Sequence, residues 1–168
     1  MADAEEAWEA AQDAAEQIAA GDPEGARKML EELVQAQPDN EYAYFFLGAA
    51  HFELGHFDKA LAAYVKALEL APGYMGAMVN AGQTLRMLGR YDQAIRMGRE
   101  VLARDKHDPD ALFLLGATHF ARGDAAAAES YLNRLLETRP GPELQIEITG
   151  MLQVLRGDVT EPDPDQDD

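Results

Sequence analysis

Residues 41–72 read EYAYFFLGAAHFELGHFDKALAAYVKALELAP, the most regular stretch of the chain. Apolar residues recur at helical spacing on both sides of Gly55, and a glycine between two such segments is typical of a turn. Pro72 cannot continue a helix and marks the end of the second segment. The stretch therefore predicts a helix over 41–54, a turn, and a second helix over 56–70.

The pattern of this stretch recurs along the chain with a step of 34 residues. The glycines in phase are Gly21, Gly55, Gly89, Gly123 and Gly157, and the alanines in phase are Ala26, Ala60, Ala94 and Ala128. A repeat of this length indicates stacked helix pairs, in which each pair buries its apolar face against its neighbours.

Diagnostic residues within each step identify the kind of repeat. The second unit reads Tyr44-x2-Leu47-Gly48-x2-His51, then Ala60-x3-Tyr64, then Pro72. This is similar to the tetratricopeptide (TPR) pattern of an aromatic residue, Leu-Gly and an aromatic residue, followed by Ala-x3-aromatic and Pro. The chain resembles the TPR family over residues 7–157, and its Ala- and Arg-rich, Lys-poor composition favours a bacterial TPR protein.

The resemblance implies an all-α fold, a TPR helix-turn-helix solenoid with about four repeats and a C-terminal capping helix. The solenoid is expected to fill residues 1–157, with repeats at 7–40, 41–74, 75–108 and 109–142 and a capping helix at 143–156. Residues 158–168 are acidic and contain proline and one apolar residue, so we expect a disordered acidic tail there.

Composition and charge exclude several classes of protein. The chain has 31 acidic and 14 basic residues, a net charge of −17, and no cysteine. Nucleic-acid phosphates would be repelled, so we expect no nucleic-acid partner, and zinc fingers and disulfide scaffolds are excluded. No apolar run approaches the roughly 20 residues that cross a bilayer. The N-terminus lacks the features of a secretory signal, so we expect no membrane insertion and a cytoplasmic location.

No constellation of catalytic residues is visible in the sequence. A P-loop, a dinucleotide-binding fingerprint and a G-x-S-x-G motif are all absent. His51 and His119 occupy the same aromatic position of their repeats, and His51 has only Leu and Gly at the neighbouring helical positions. We therefore expect both histidines to pack in the core, and we expect no enzymatic activity, no cofactor and no metal.

The TPR resemblance also implies where a partner would bind, because in this family the first helices line a concave groove. The groove residues implied in this way are Tyr42, Phe45, Ala49, Phe52, Val79, Asn80, Gln83, Arg86, Phe113, Ala117 and Phe120, with Trp8 at the equivalent position of the first repeat. Small Ala49 and Ala117 between Phe residues would leave pockets for apolar side chains. The same Phe residues would also suit ordinary core packing.

The capping helix carries an additional apolar stripe. Ile148, Leu152 and Leu155 lie at i, i+4 and i+7 and therefore share one helix face. No second helix follows to cover them. The stripe predicts an oligomer contact, a homodimer through the capping helix, unless the acidic tail folds across it.

The sequence favours a non-catalytic protein–protein interaction module that binds a peptide or a segment of a partner protein in an aromatic-lined groove. One alternative is a dedicated chaperone of a secreted client, because the length, acidity and aromatic groove resemble the translocator chaperones of bacterial type III secretion. The other alternative is a self-assembling TPR scaffold, which the stripe on the capping helix favours. The fold itself does not identify the partner, because TPR grooves serve unrelated pathways.

Overall fold

The computed structural model describes residues 4–158, and all regular structure in that range is α-helical. The helices are α1 (Ala4–Ala19), α2 (Pro23–Ala36), α3 (Glu41–Glu53), α4 (Phe57–Leu70), α5 (Met75–Met87), α6 (Tyr91–Arg104), α7 (Pro109–Arg122), α8 (Ala125–Glu137) and α9 (Pro142–Arg156). Packed pairs are formed by α1 and α2, α3 and α4, and α7 and α8, and the all-α TPR solenoid fold is confirmed. The acidic tail expected beyond Asp158 lies outside the described residues.

Each of the helices α1, α3, α5, α7 and α9 is followed, within two residues of its end, by a glycine in the left-handed backbone region. The glycines of the 34-residue step all have φ between 71° and 84°, a conformation that residues with a Cβ atom rarely adopt. At the end of α7, the N–H of Gly123 donates to the carbonyl oxygens of His119 and Phe120. The phase of the glycines in the sequence therefore sets where these helices end.

The residues that precede α3, α5 and α7 also follow the 34-residue step. Asn40 and Asp108 cap their helices, because their side chains accept hydrogen bonds from the N–H groups of Ala43 and Ala111. Tyr74 stands at the equivalent position before α5 and makes no side-chain capping bond. An Asn or Asp cap contributes about 1 kcal/mol, so the start of α5 lacks a stabilising contribution that α3 and α7 have.

The described residues divide into two compact units with the boundary between Met97 and Gly98, residues 4–97 and 98–158. In the N-terminal unit α1 packs on α2 and α3, α3 packs on α4, and α4 packs on α5. The core of the first four helices is rich in alanine, which lets helices approach closely. Its buried residues are Ala14, Ala26, Leu30, Ala43, Leu47, Ala50 and Ala63.

The glycines that follow Leu47 and Leu115 within α3 and α7 each mark a close crossing of two helices. A Cβ atom on Gly48 of α3 would lie 2.7 Å from ring atoms of the buried Tyr64 on α4. A Cβ atom on Gly116 of α7 would lie 2.6 Å from Leu132 on α8. Both positions exclude any side chain, which explains why the repeat pattern places glycine there.

In the C-terminal unit, α7 packs on α8 and α8 packs on α9. Ile148 and Leu152 of α9 are 0% and 4% exposed, and Leu155 packs at the edge of the same core. The expectation that this stripe is uncovered is therefore wrong. It is covered within the unit by leucines of α7 and α8, namely Leu112, Leu132 and Leu135. A homodimer through these residues loses its structural basis.

The two in-phase histidines are buried, as the sequence predicted. His51 and His119 both lie in the core at the ends of α3 and α7. His119 Nδ1 lies 3.0 Å from Asp124 Oδ2, whereas His51 Nδ1 lies 3.4 Å from His56 Nδ1. Each contact joins the end of a first helix to the residue that precedes the second helix.

Candidate partner-binding surface

One face of α3 carries four of the residues that the TPR resemblance places in a groove. Tyr42, Phe45, Ala49 and Phe52 are all half-buried. Phe45 and Phe52 rest against a small core formed by Ala60, Tyr64 and Ala81. Each of these two Phe side chains therefore packs on the core with part of its surface and leaves the remaining part accessible.

The starts of α1 and α3 and the residue before α5 bring five aromatic rings together. We refer to Trp8, Tyr42, Phe45, Phe46 and Tyr74 as the five-ring cluster. The ring centroids of Trp8 lie 5.4 Å from Tyr42 and 5.6 Å from Phe46. Those of Tyr74 lie 5.9 Å from Tyr42 and 4.8 Å from Phe45. Phe45 and Phe46, 5.1 Å apart, close the circuit, so each ring contacts at least two others.

The five-ring cluster is held from one side and accessible from the other. Phe46 packs against the core of the first four helices, and Phe45 lies 5.9 Å from the buried ring of Tyr64. Trp8 is 42% exposed, and the other four rings are half-buried. Most of the ring pairs are tilted or edge-to-face, the arrangements that aromatic pairs prefer.

Phe46 and Tyr74 are the members of the cluster that the sequence did not place in a groove, and Tyr74 lies outside the first helices because it precedes α5. The sequence nevertheless contains a sign of its role, since the 34-residue step places the capping residues Asn40 and Asp108 at the equivalent positions. Burial raises the pKa of Tyr74 to about 12, and the adjacent Tyr42 and Glu41 add to the rise. The Tyr74 hydroxyl therefore stays neutral at physiological pH.

The helices that contribute most of the cluster are acidic. Helix α1 carries five carboxylates and α3 carries two, and neither helix has a Lys or an Arg. The first bases along the chain are Arg27 and Lys28 of α2. Arg27 is paired with Glu24 and Glu31 at 2.6 Å and 2.7 Å. The cluster thus lies between helices of uniformly negative charge.

The third repeat places a polar strip on α5. Asn80, Gln83 and Arg86 are half-buried, and Arg86 Nε donates to Gln83 Oε1 at 3.0 Å. The side chain of Asn80 is hydrogen-bonded to Tyr64, whose pKa is raised by burial. Val79, also expected in a groove, is buried in the hydrophobic core. That expectation is wrong, because an apolar side chain this deeply buried has no surface to offer a partner.

In the C-terminal unit, one of the three residues expected to bind a partner is buried. Phe113 and Phe120 of α7 are half-buried, and Phe113 packs on the core of the unit. Ala117 is 5% exposed, so the pocket expected beside it is closed, whereas Ala49 of α3 is half-buried. Phe113 and Phe120 are half-buried like Phe45 and Phe52, so the N-terminal unit differs in its accessible Ala49 and in the five-ring cluster.

Neither a metal centre nor a membrane span is found in residues 4–158. No three His, Asp or Glu side chains within this range are grouped so that they could hold a metal ion. No helix within it combines the length and the apolar character needed to cross a bilayer.

The paired helices, the glycine turns and the small residues at helix crossings define a TPR protein. A family model described as "Cytochrome c-type biogenesis protein H TPR domain" matches residues 30–142. The chain belongs to this TPR family. Its fold supports a protein–protein interaction module, as the sequence predicted.

Individual relatives share the repeats at low identity. The TPR repeat-containing protein MJ1428 of Methanocaldococcus jannaschii is 30% identical over 131 residues, which cover 78% of this chain and 22% of that protein. The structure of PilF of Pseudomonas aeruginosa superimposes with a TM-score of 0.78 at 23% identity, covering 92% of this chain and 71% of that one. MamA of Desulfovibrio magneticus gives 0.75 at 21% identity, covering 94% and 88%. The two structures share the fold with this chain.

Proposed function

We propose that this chain is a non-catalytic adaptor whose N-terminal unit holds a peptide or a segment of a partner protein on the α3 face and the five-ring cluster. The observation that carries the proposal is the cluster itself, in which five mutually packed rings remain partly exposed. Covering such a patch contributes about 25 cal/mol per Å² of apolar surface. Large aromatic residues are also frequent anchors of binding energy.

The polar strip on α5 supports the same assignment. Ala81 of α5 packs with Phe45 and Phe52 of α3, so α5 adjoins the aromatic face. Gln83 and Arg86 offer hydrogen-bonding groups beside that face. A surface with an apolar anchor site and a few polar groups beside it can bind a peptide and fix its orientation.

Site-specific photo-crosslinking in the native cell tests this proposal. A photoreactive phenylalanine analogue replaces Tyr42 or Phe52 in the aromatic face, and the exposed Val65 of α4 serves as the control position. We expect one partner to be captured from positions 42 and 52 and a single segment of it to be mapped by mass spectrometry. Equal capture from position 65 would contradict the proposal.

A matched pair of substitutions tests the role of the space beside Ala49. Ala49→Arg places a long charged side chain between Phe45 and Phe52, and we expect it to reduce recovery of the captured partner by at least about tenfold. Ala62→Arg on the exposed side of α4 makes the same chemical change outside the face. If both variants retain the partner equally, the α3 face is not the binding surface.

The chaperone and scaffold alternatives predict different partners for this surface. A chaperone would capture one client that is insoluble without it, whereas a scaffold would crosslink to a second copy of the same chain. Mapping the captured segment therefore distinguishes them in the same experiment. With Ile148 and Leu152 buried, the scaffold has lost the apolar stripe that favoured it.

The family match favours a more specific candidate partner, a c-type cytochrome in the course of its biogenesis. This second proposal rests on the match over residues 30–142. We expect an unfolded c-type apocytochrome to compete with the captured partner for the crosslinking positions. A folded cytochrome of the same sequence should not compete, and equal competition by both would contradict this candidate.

A further inference from the structure

We infer that the five-ring cluster recognises a cationic segment, a stretch of the partner in which Arg or Lys alternates with apolar residues. This inference rests on the proposed function of the same surface and specifies the chemistry of the partner. It follows from the charge of the helices that carry the cluster, from the geometry of the rings, and from the residue at position 74.

Charge complementarity indicates that the bound segment of the partner is positively charged. Seven carboxylates and no Lys or Arg lie on α1 and α3, and Glu41 is close enough to Tyr74 to raise the pKa of its hydroxyl. Arg86, the cation of the neighbouring strip, is already hydrogen-bonded to Gln83. An acidic segment or a C-terminal carboxylate would be repelled, whereas a basic segment would be attracted.

Ring geometry provides a place for the cationic groups. The planes of Trp8 and Tyr42 are inclined by 85°, and those of Tyr42 and Tyr74 by 70°. These two pairs do not stack face to face, whereas the planes of Tyr74 and Phe45 are inclined by only 32°. The most accessible ring of the cluster is that of Trp8, which is 42% exposed. A guanidinium or ammonium group is attracted to the face of a Trp or Tyr ring, and apolar residues between the cations would contact the Phe rings.

Tyr74 supplies the third argument, because it occupies a position where capping alone would favour another residue. At the equivalent positions Asn40 and Asp108 cap their helices with side-chain hydrogen bonds. Tyr74 makes no such bond to α5. In exchange its ring contacts Tyr42 and Phe45 and completes the circuit of the cluster. Tyrosine at position 74 enlarges the aromatic surface and leaves α5 without a side-chain cap. A loss of stability that accompanies a larger accessible surface is typical of a functional site.

Trp8 makes the inference directly measurable, because it is the single tryptophan of the chain and belongs to the cluster. The probe is the acetylated peptide Gly-Arg-Leu-Gly-Arg-Leu-Gly, titrated into the full chain while Trp8 emission is followed. The same peptide with Glu in place of Arg is the control. We expect a saturable change with the Arg peptide, with affinity at least about tenfold higher than for the Glu peptide. We expect the affinity to fall severalfold as salt is raised.

Two pairs of variants separate binding from folding. Tyr74→Asn removes one ring and introduces a residue that can cap α5, so we expect it to fold and to weaken the Arg peptide at least about fivefold. Phe57→Leu, which removes a ring that contacts Phe52 outside the cluster, should leave the affinity unchanged. Glu41→Lys should weaken the peptide, whereas Glu69→Lys on α4 changes the net charge equally and should not.

Failure of this inference is distinguishable from failure of the proposed function. Equal affinity for the Arg and Glu peptides, affinity independent of salt, or equal effects of Tyr74→Asn and Phe57→Leu would each overturn the inference. The proposed function would still stand if crosslinking from Tyr42 captured a partner through an uncharged or acidic segment. If crosslinking captured no partner while the Arg peptide bound as expected, the proposed function would fail instead.

Discussion

At the scale of the single residue, the packing depends on positions where no side chain fits. Gly48→Ala would force a methyl group against the ring of Tyr64, which is buried and cannot turn away. Overpacking of this kind costs about 1–3 kcal/mol and outweighs the gain of up to about 1 kcal/mol in helix propensity. We expect urea unfolding followed by circular dichroism to show a lower free energy of unfolding for this variant.

Gly150 provides the matched control for that prediction. It lies inside α9, and a Cβ atom built on it meets no atom within 4 Å. Gly150→Ala should therefore stabilise the chain by up to about 1 kcal/mol through helix propensity alone. If Gly48→Ala stabilised the chain as Gly150→Ala is expected to do, the close contact at Gly48 would be contradicted.

A second residue-scale prediction concerns Asn40, a fully buried polar side chain. Its Oδ1 accepts from the N–H of Ala43 at 3.0 Å. Its Nδ2 donates to the carbonyl oxygen of Ala7 at 2.9 Å and to Gln37 at 2.8 Å. Asn40→Ala loses the cap and leaves the carbonyl of Ala7 without this donor, so we expect a loss of about 2–3 kcal/mol in urea unfolding.

Asn40→Asp separates the two functions of that side chain. A carboxylate still accepts from Ala43 but cannot donate to Ala7 or Gln37. We expect the variant to keep the start of α3 and to weaken the link between α1 and α3. A free energy of unfolding equal to that of the wild type would show that the link to Ala7 contributes nothing.

At the scale of the element, the turns that follow α3 and α7 differ in the residue that faces the buried histidine. His119 faces Asp124, and that hydrogen bond, together with Arg122, lowers the pKa of Asp124. His51 instead faces His56. Burial lowers the pKa of His51, and His56, Lys59 and Arg27 act in the same direction, with Glu31 opposing them. The turn between α3 and α4 is therefore sensitive to acid, whereas the turn between α7 and α8 contains the ion pair of Arg122 and Asp124.

This difference predicts a loss of stability in mild acid. The folded chain resists protonation of His51 while the unfolded chain takes up the proton near its ordinary pKa of about 6.5. The stability that neutral His51 contributes is therefore fully present above a pH of about 6.5 and declines as the pH falls below it. We expect urea unfolding near pH 5.5 and pH 8 to show this decline in the wild type. His51→Phe should reduce it, whereas the exposed His107→Gln should not.

Elements were more predictable from the sequence than the site they form. The 34-residue step predicts each helix pair and the glycine turns, because helix periodicity and backbone conformation are local properties. The five-ring cluster depends on contacts of Trp8 in α1 and Phe46 in α3 with each other and, through neighbouring rings, with Tyr74 before α5. Local sequence patterns carry no information on distances between elements. The stripe of Ile148 was misjudged for the same reason: its cover comes from Leu112 and Leu132, which are far away in the chain.

At the scale of the whole molecule, the net charge of −17 acts on folding and binding in opposite directions. Carboxylates that repel one another lower stability at low ionic strength, and salt screens that repulsion. The attraction between the acidic helices and a basic segment is screened by the same salt. We therefore expect the melting temperature to rise and the affinity for the Arg peptide to fall when salt increases from near 50 mM to near 500 mM.

Asp13→Lys tests the charge argument at one exposed position outside the five-ring cluster. Asp13 lies four residues after Glu9 on α1, so the substitution turns a repulsive pair into an attractive one. Each such pair is worth roughly 0.2–0.5 kcal/mol, and we expect a gain of about 0.4–1 kcal/mol near 50 mM salt. The gain should shrink near 500 mM, because exposed charges are screened. A gain that persisted unchanged at high salt would mean that helix propensity, and not the acidity of the N-terminal unit, limits the stability of α1.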